Sequence, residues 1–479
     1  MKNNYYITTT LPYVNSSPHV GFATELLRAD VLARFKKEQG FNVFLNTGTD
    51  EHGKKIFESA KNNKLTPKEF VDQTSLTFKN LINSLGIMDD VHFIRTTDSN
   101  HIKGAQLLWD IVNKNGYIYK KKYQTKYCVG CELEKTDSDL DNGKCPFHPN
   151  KEIEIIDEDN YFFAFSKFQK KLEEFYKNNS SFIEPDFRFN ELKSFVHSGL
   201  NDFSVSRLKE KMPWGISVPD DEDHVMYVWF DALSNYITTL GWPNNTNYEK
   251  FWENGYRIQV CGQDNLRQQG AMWQAILMAA NLPNTDKVYV NGFLVGEDGT
   301  KMSKSLNNVI NPSDVIDKYG KDSTRYLLLR YTHPFNGSPI SMNILDKNYN
   351  ADLVNGLGNT VSRILAMSQK KTRKINIDVD FKYSDEFVNS IEEYRFDNAF
   401  DFVWDQINIL NKRITEDEVF KILNDESLES KVIDLLNSYL KELYIIANYL
   451  KNLLPETSKE ILVLIDKNIK PESPIFPRV

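Results

Sequence analysis

The stretch Leu11–Phe22, LPYVNSSPHVGF, decides the fold. Before it, Tyr5–Leu11 (YYITTTL) is aromatic and β-branched, the composition of a buried strand. After it, Phe22, Leu26, Leu27, Val31, Leu32 and Phe35 recur at helical spacing as far as Gln39, and Gly40 stands where a C-terminal cap belongs. A strand, a polar turn with Pro12 and Pro18, and a helix open a parallel α/β unit. The helix N-terminus of such a unit presents unpaired N–H groups and a positive dipole to an anion. His19 and Gly21 fall at that turn, where an imidazole donates to a phosphate oxygen and a glycine admits a ligand close to the backbone. The same pair would also serve simply to shape a turn.

Outward from this stretch, Phe41–Asn46 (FNVFLN) reads as the second parallel strand, with TGTDEHG (Thr47–Gly53) at its carboxyl end, where open α/β sheets keep their ligands. Asp50 is there a candidate to meet an ammonium group; a solvated loop carboxylate is the alternative. Helical segments follow at Lys54–Lys61 and Pro67–Ser84. Val225–Leu240 (VMYVWFDALSNYITTL) begins as a strand and runs into a helix, bringing Trp229, Ala232, Leu233 and Tyr236 to one aromatic patch. Ile258–Cys261 is a further short strand, followed by Gly262, Gln263, Asp264 and a helix carrying Gln269 and Trp273. Such a set is core unless a small apolar ligand belongs there. After the strand Val288–Val295, GEDGTKMSKSLNNVINP (Gly296–Pro312) places Lys301, Ser303 and Lys304 on a loop able to close cations over a triphosphate. It is not a Walker A loop, since GxxxxGK[ST] is absent.

Tyr117–Pro219 changes character, with many Lys, Tyr and Phe and little helical periodicity at first. It holds Cys128-Val-Gly-Cys131 and, after a short acidic stretch, Cys145-Pro-Phe-His148. Three thiolates and one imidazole at these spacings suit a tetrahedral zinc, structural because protein fills every position. From about Asn350 the chain becomes helical. Asp352–Lys370, Asn398–Ile414 and Val432–Leu454 carry apolar faces, Pro455 stops the last of them, and Lys370–Asn376 (KKTRKIN) is a polar connection, together a helical bundle.

The 479 residues suffice for two or three domains. A net charge of −8 argues against a nucleic-acid coat or a polybasic membrane binder, though not against a local basic groove. No apolar run approaches the roughly 20 residues that span a bilayer, and the N-terminus lacks a basic-then-apolar leader, so a cytoplasmic protein without a membrane partner is expected. Three of the four cysteines cluster, which favours a metal over disulfides.

In their order along the chain, PHVGF, TGTDEHG, the CxxC/CxxH knuckle, YVWFDAL, KMSKS and the terminal bundle resemble the methionyl-tRNA synthetases over nearly the whole length. KMSKS matches the class I aminoacyl-tRNA synthetase signature letter for letter, and Pro18–Phe22 matches its HIGH partner in His, an aliphatic residue and Gly. The resemblance implies a Rossmann-like parallel-sheet catalytic domain from residues 1–116 and 220–349, including the KMSKS loop. It implies an inserted connective lobe with a zinc knuckle over 117–219 and an all-α anticodon-binding bundle over 350–479. It implies activation of methionine by MgATP, release of diphosphate, and transfer of the methionyl group to tRNA(Met), initiator tRNA included.

By the same resemblance, His19, Lys301 and Lys304 are catalytic, and His19, Gly21, Gly262, Asp264, Lys301, Ser303 and Lys304 hold ATP. Leu11, Tyr13, Asp50, Trp229, Ala232, Leu233, Tyr236, Gln269 and Trp273 hold methionine, with Asp50 on its ammonium and Arg207 near that carboxylate network. Cys128, Cys131, Cys145 and His148 hold one structural Zn2+. Asn359 and Arg363 read the anticodon. The chain ends at Ser473–Val479 with no added C-terminal domain, so a monomer is expected.

Four departures from the family pattern stand out. Phe22 replaces the second His of HIGH, and on that basis Phe22→His is expected to keep or raise the exchange rate. Gln263 and Gln269 replace a Lys and a His. Asn307 replaces a Gly after KMSKS. The family's Pro-Trp pair has no match after LNKRIT, where Phe420 is the nearest ring. Two rivals remain at this point. Synthetases for leucine, isoleucine or valine carry a large editing insertion, for which the interval from His19 to Lys301 leaves no room. An idle tRNA-binding paralogue would have no use for His19, Lys301, Lys304 and the aromatic pocket.

Overall fold

A computed structural model describes residues 3–131, 133–135, 137–300, 309–371 and 379–479. They form two compact units, Met1–Pro18, Phe41–Asn80 and Asp90–Val290 in one, and His19–Gly40, Leu81–Asp89 and Asn291–Val479 in the other.

The aromatic and β-branched run after the N-terminus forms the strand Asn4–Thr8, flanked by Asn42–Thr49 and Tyr256–Gly262, each parallel to it. The sheet of the first unit runs His92–Arg95, Asn42–Thr49, Asn4–Thr8, Tyr256–Gly262, Lys287–Asn291, Ile183–Glu184. The second strand is longer than its apolar run suggests and continues through Thr47, Gly48 and Thr49, which pair in parallel with Phe93, Ile94 and Arg95. A Cβ at Gly48 would meet the Ile94 carbonyl at 1.9 Å, so only glycine lets the neighbouring strand lie here. The strand Ile183–Glu184, from the segment expected to form the inserted lobe, extends this sheet at Lys287–Asn291.

The region without helical periodicity is an antiparallel hairpin of Ile118–Cys128 with Ile153–Phe163. Its register pairs Cys128 with Ile153, so the excursion containing Cys131, Cys145 and His148 projects from the hairpin's far end. Beneath it, Phe163, Phe165, Phe168, Leu172, Tyr176, Phe182 and Phe189 join the unit's main core.

In the second unit the opening helix is Val20–Glu38. Its Asp30 and Arg325 are both fully buried and paired at 2.7 Å. Asp30 also accepts from Arg34 and from the Met88 N–H, so this buried charge is fully coordinated, as burial requires. The bundle packs by its periodicity: Phe396–Glu416 buries Phe396, Ala399, Phe400, Val403, Trp404, Ile407, Leu410 and Ile414, which recur at the 3–4-residue helical period and share one face. Glu429–Leu450 buries Val432, Leu436, Tyr439, Leu440 and Leu443 the same way. That helix ends at Leu450, before Pro455. Pro455, expected to stop it, occupies the first turn of the next helix, Pro455–Lys467, where its missing N–H would be unpaired anyway. The segment expected from Asp352 begins earlier, at Met342, and passes through a wide π-helical turn over Tyr349–Gly358 into Asn359–Lys371. No helix among the described residues is long and apolar enough to cross a membrane.

Candidate active site

His19 caps the opening helix. Its ring Nδ1 accepts from the Phe22 N–H at 3.3 Å. A nitrogen that accepts carries no proton, so in the neutral ring the N–H lies on Nε2 of this exposed side chain. A Cβ at Gly21 would stand 2.9 Å from that Nδ1. Gly21 thus makes room first for the His19 ring. The N–H of Val20 donates to the Ile310 carbonyl at 3.2 Å, which ties the chain six residues past Lys304 to the start of this helix. Lys301, Ser303, Lys304 and Asn307 lie outside the described residues. Phe22 is 5% exposed and belongs to the core. An imidazole at that place would have to bury its ring nitrogens, so Phe22→His is now expected to destabilise rather than to help.

In the first unit Tyr13 and Asp50 form a parallel bridge: the Asp50 N–H donates to the Pro12 carbonyl at 3.0 Å and the Val14 N–H to the Asp50 carbonyl at 3.2 Å. LPY and TGTD are therefore held side by side by backbone. The Tyr13 hydroxyl donates to the His52 carbonyl at 2.6 Å, and Leu11 is half-buried. Asp50 is buried.

The aromatic set lies in the same unit. Trp229, Ala232, Leu233 and Tyr236 belong to the helix Val228–Thr238. Gln269 donates from Nε2 to the Tyr236 hydroxyl at 2.6 Å, and the rings of Tyr236 and Trp273 are 5.8 Å apart. Gln269 Oε1 and the indole N–H groups of Trp229 and Trp273 are buried with no partner among the described residues. Polar atoms of this kind are rare in a closed core and common in a pocket. Gly262 ends the strand Tyr256–Gly262 and Asp264 is exposed just beyond it. Gln263 accepts from Arg188 of the helix Asp186–His197, so a guanidinium stands beside the position that departs from the family's Lys. Arg207 donates to the Ser204 hydroxyl and the Ser206 carbonyl and lies 4.5 Å over the Tyr227 ring.

Several residues of this region carried no role in the sequence reading. Glu51 takes two hydrogen bonds from Arg95, at 2.7 and 2.9 Å, and one each from Thr49 and Thr97. His52 and His101 both meet Asp231, each at 2.7 Å. Burial alone would push the Asp231 carboxyl up; the imidazoles of His52 and His101 outweigh it and hold the group below the usual carboxylate range. The signal was present in the E and H of TGTDEHG and the D of WFDAL.

At the hairpin's end the donor atoms of Cys128, Cys131, Cys145 and His148 lie within 4.8 Å of one another. Cys131 Sγ is 3.4 Å from Cys145 Sγ and 3.3 Å from His148 Nδ1, and Nδ1 is 3.9 Å from Cys128 Sγ and 4.0 Å from Cys145 Sγ. Around a tetrahedral ion with metal–sulfur bonds of about 2.3 Å and metal–nitrogen bonds of about 2.0 Å, the corresponding edges are about 3.5–3.8 Å. The four residues fit such an ion. In the bundle, Asn359 is exposed and Arg363 half-buried, four residues apart and so on one face of Asn359–Lys371. Phe420 is an exposed ring on the short helix Val419–Ile422.

A parallel sheet, a histidine-capped helix tied to the segment after KMSKS, and a helical bundle define a class I aminoacyl-tRNA synthetase. The profile of the tRNA synthetases class I (M) matches residues 5–154 and 135–365. Among curated relatives, the methionine–tRNA ligase of Fusobacterium nucleatum is 35% identical over 100% of this chain and 80% of its own. That of Caldanaerobacter subterraneus is 37% identical over 96% and 74%, and that of Rickettsia felis 43% over 77% and 71%. Among solved structures, the Mycobacterium tuberculosis methionyl-tRNA synthetase in complex with methionyl-adenylate superposes with a TM-score of 0.90 at 29% identity, covering 100% of both chains. The chain belongs to the methionyl-tRNA synthetase family, the methionine–tRNA ligases.

Proposed function

We infer that this protein activates L-methionine and charges tRNA(Met), initiator tRNA included. A methionine carboxylate oxygen attacks the α-phosphorus of MgATP, the bond to the β-phosphate oxygen breaks, and diphosphate leaves. The terminal ribose hydroxyl of the tRNA then attacks the carbonyl carbon and AMP leaves. No protein nucleophile is needed, so alignment and charge stabilisation carry the rate. The observation that carries this reading is the hydrogen bond from Val20 to Ile310: it brings the chain just beyond KMSKS to the helix terminus capped by His19. His19, with its N–H on Nε2, and Lys301 and Lys304 then act on the phosphates, while Gly21, Gly262, Asp264 and Ser303 complete the ATP site. Leu11, Tyr13, Trp229, Ala232, Leu233, Tyr236, Gln269 and Trp273 hold the methionine side chain and Asp50 its ammonium.

The experiment that tests this is methionine-dependent ATP–pyrophosphate exchange followed by charging of tRNA(Met). Exchange is expected with methionine and not with leucine or valine; its absence from pure, metal-replete protein would sink the reading.

Arg188 supplies beside Gln263 the positive charge that the family's Lys otherwise brings. Arg188→Ala is expected to raise the KM for ATP about tenfold, the effect of one hydrogen bond to a charged group at about 1.5 kcal/mol, and to leave the KM for methionine unchanged. We assign zinc to Cys128, Cys131, Cys145 and His148. With all four places filled by protein its part is to hold the lobe's tip together. Metal analysis is expected to find one zinc per chain, and Cys145→Ala to lose it.

The division into a catalytic domain (1–116 and 220–349), a connective lobe (117–219) and an anticodon-binding bundle (350–479) belongs to the same reading, as do a monomeric state and a cytoplasmic location. Asn359 and Arg363 offer amide and guanidinium groups on one helix face, the groups that read unstacked bases in a single-stranded RNA loop. Phe420 supplies a ring for stacking in place of the missing Trp.

A further inference from the structure

Asp231 sits between the pocket residues Trp229 and Ala232–Leu233 on the helix Val228–Thr238, yet it is fully buried and turned away from any solvent. Both of its oxygens are engaged: Oδ2 by His52 Nδ1 and Oδ1 by His101 Nε2, each at 2.7 Å. A carboxylate only accepts, so each imidazole donates through the nitrogen facing it. The two histidines come from different walls. His52 lies two residues past Asp50, and its own carbonyl accepts from the Tyr13 hydroxyl. His101 belongs to the helix Ser99–Lys114, and its second nitrogen meets the Thr238 hydroxyl at 2.8 Å. Asp231 and Thr238 are seven residues apart, about two turns, so His101 fastens both ends of one helix to another.

The path from Asp231 through His52 to Tyr13 therefore joins the helix bearing Trp229, Ala232 and Leu233 to the LPY segment and the Asp50 loop. The backbone bridge between Tyr13 and Asp50 makes those two move together. Hydrophobic packing alone leaves the spacing of two such walls adjustable, whereas a doubly engaged carboxylate specifies both distance and direction. We propose that Asp231 is a positioning residue for methionine, setting through His52 the separation of the Tyr13–Asp50 wall from the Trp229–Leu233 wall.

This rests on the pocket assignment above, and the experiment keeps the two apart. Exchange kinetics of the full chain are measured for Asp231→Asn, His52→Ala and His52→Asn, with Asp50→Ala as the control for the pocket. An asparagine at 231 offers a single oxygen acceptor where the carboxylate offers two, so at most one imidazole goes on donating to it. An asparagine at 52 places an amide N–H near the position of imidazole Nδ1–H and keeps it.

Expected is a KM for methionine raised at least tenfold in Asp231→Asn and His52→Ala, with kcat within threefold and the KM for ATP within twofold of the unmodified protein. His52→Asn is expected to return the methionine KM to within threefold. An unchanged methionine KM in Asp231→Asn, a parallel loss in every constant, or a His52→Asn no better than His52→Ala overturns the proposal. Should Asp231→Asn fail to fold, the two His52 variants decide alone. If Asp50→Ala also leaves the methionine KM unchanged, the pocket assignment falls; if only the Asp231 and His52 variants do, the positioning role falls by itself.

Discussion

Lys304→Ala is expected to lower methionine-dependent ATP–pyrophosphate exchange by about 10²–10³-fold, the effect of removing one preorganised partner of a developing oxyanion. As the carboxylate attacks and diphosphate leaves, negative charge shifts onto the phosphate oxygens. A lysine that meets that charge in the transition state and not before contributes to rate and not to binding. On the proposed assignment the residues that hold methionine do not include Lys304, so the methionine Kd, measured by tryptophan fluorescence without ATP, is expected to change less than twofold. Six residues past Lys304, the carbonyl of Ile310 is held by the Val20 N–H at the helix terminus that His19 caps. Lys304→Arg keeps the charge and is expected to retain more of the rate than Lys304→Ala. An unchanged exchange rate in Lys304→Ala would remove the loop from the mechanism.

Asp50→Ala is expected to raise the KM for methionine at least about 30-fold. Losing one partner of a buried, hydrogen-bonded charge pair costs about 2–5 kcal/mol, since the ammonium is then desolvated without compensation. The variant is a fair test because the Tyr13–Asp50 bridge is made by backbone atoms, which the substitution leaves in place. Competition by 4-(methylthio)butanoate, a methionine without its ammonium, supplies the second readout. The unmodified protein is expected to prefer methioninol to this acid strongly, and Asp50→Ala to lose most of that preference. A methionine KM within threefold of the unmodified value would place the ammonium elsewhere.

Much of this was legible in residues that carry chemistry at fixed spacing. CxxC and CxxH require four donors to converge, and they do, because a hairpin returns Ile153 beside Cys128. The bundle helices follow their apolar stripes because in a helix every third or fourth side chain shares a face. Periodicity was a poorer guide where backbone pairing decides. TGT belongs to a strand because Gly48 lets the next strand close on it, a contact the sequence does not announce. The lysine-rich strand Ile118–Cys128 lacks an alternating pattern, and its pairing with Ile153–Phe163 depends on residues more than twenty positions away. Phe22 reads as a missing phosphate donor, and its burial adds that the ring is packed in the core. Pro455 read as an end and is a beginning, because proline is excluded from the body of a helix but suited to its first turn.

The sequence by itself determined the family, the α/β class, the candidate metal-ligand set and the side chains with chemical capacity, because each rests on residue identity and local spacing. Only the tertiary structure decided which of these groups are engaged with one another. It turned Asp50, Glu51 and His52, three consecutive residues, to three different ends: a backbone bridge to Tyr13, a pair with Arg95, and a buried carboxylate shared with His101. Partners at 231, 95 and 101 are brought to them by the packing of separate strands and helices, and no local pattern encodes that convergence.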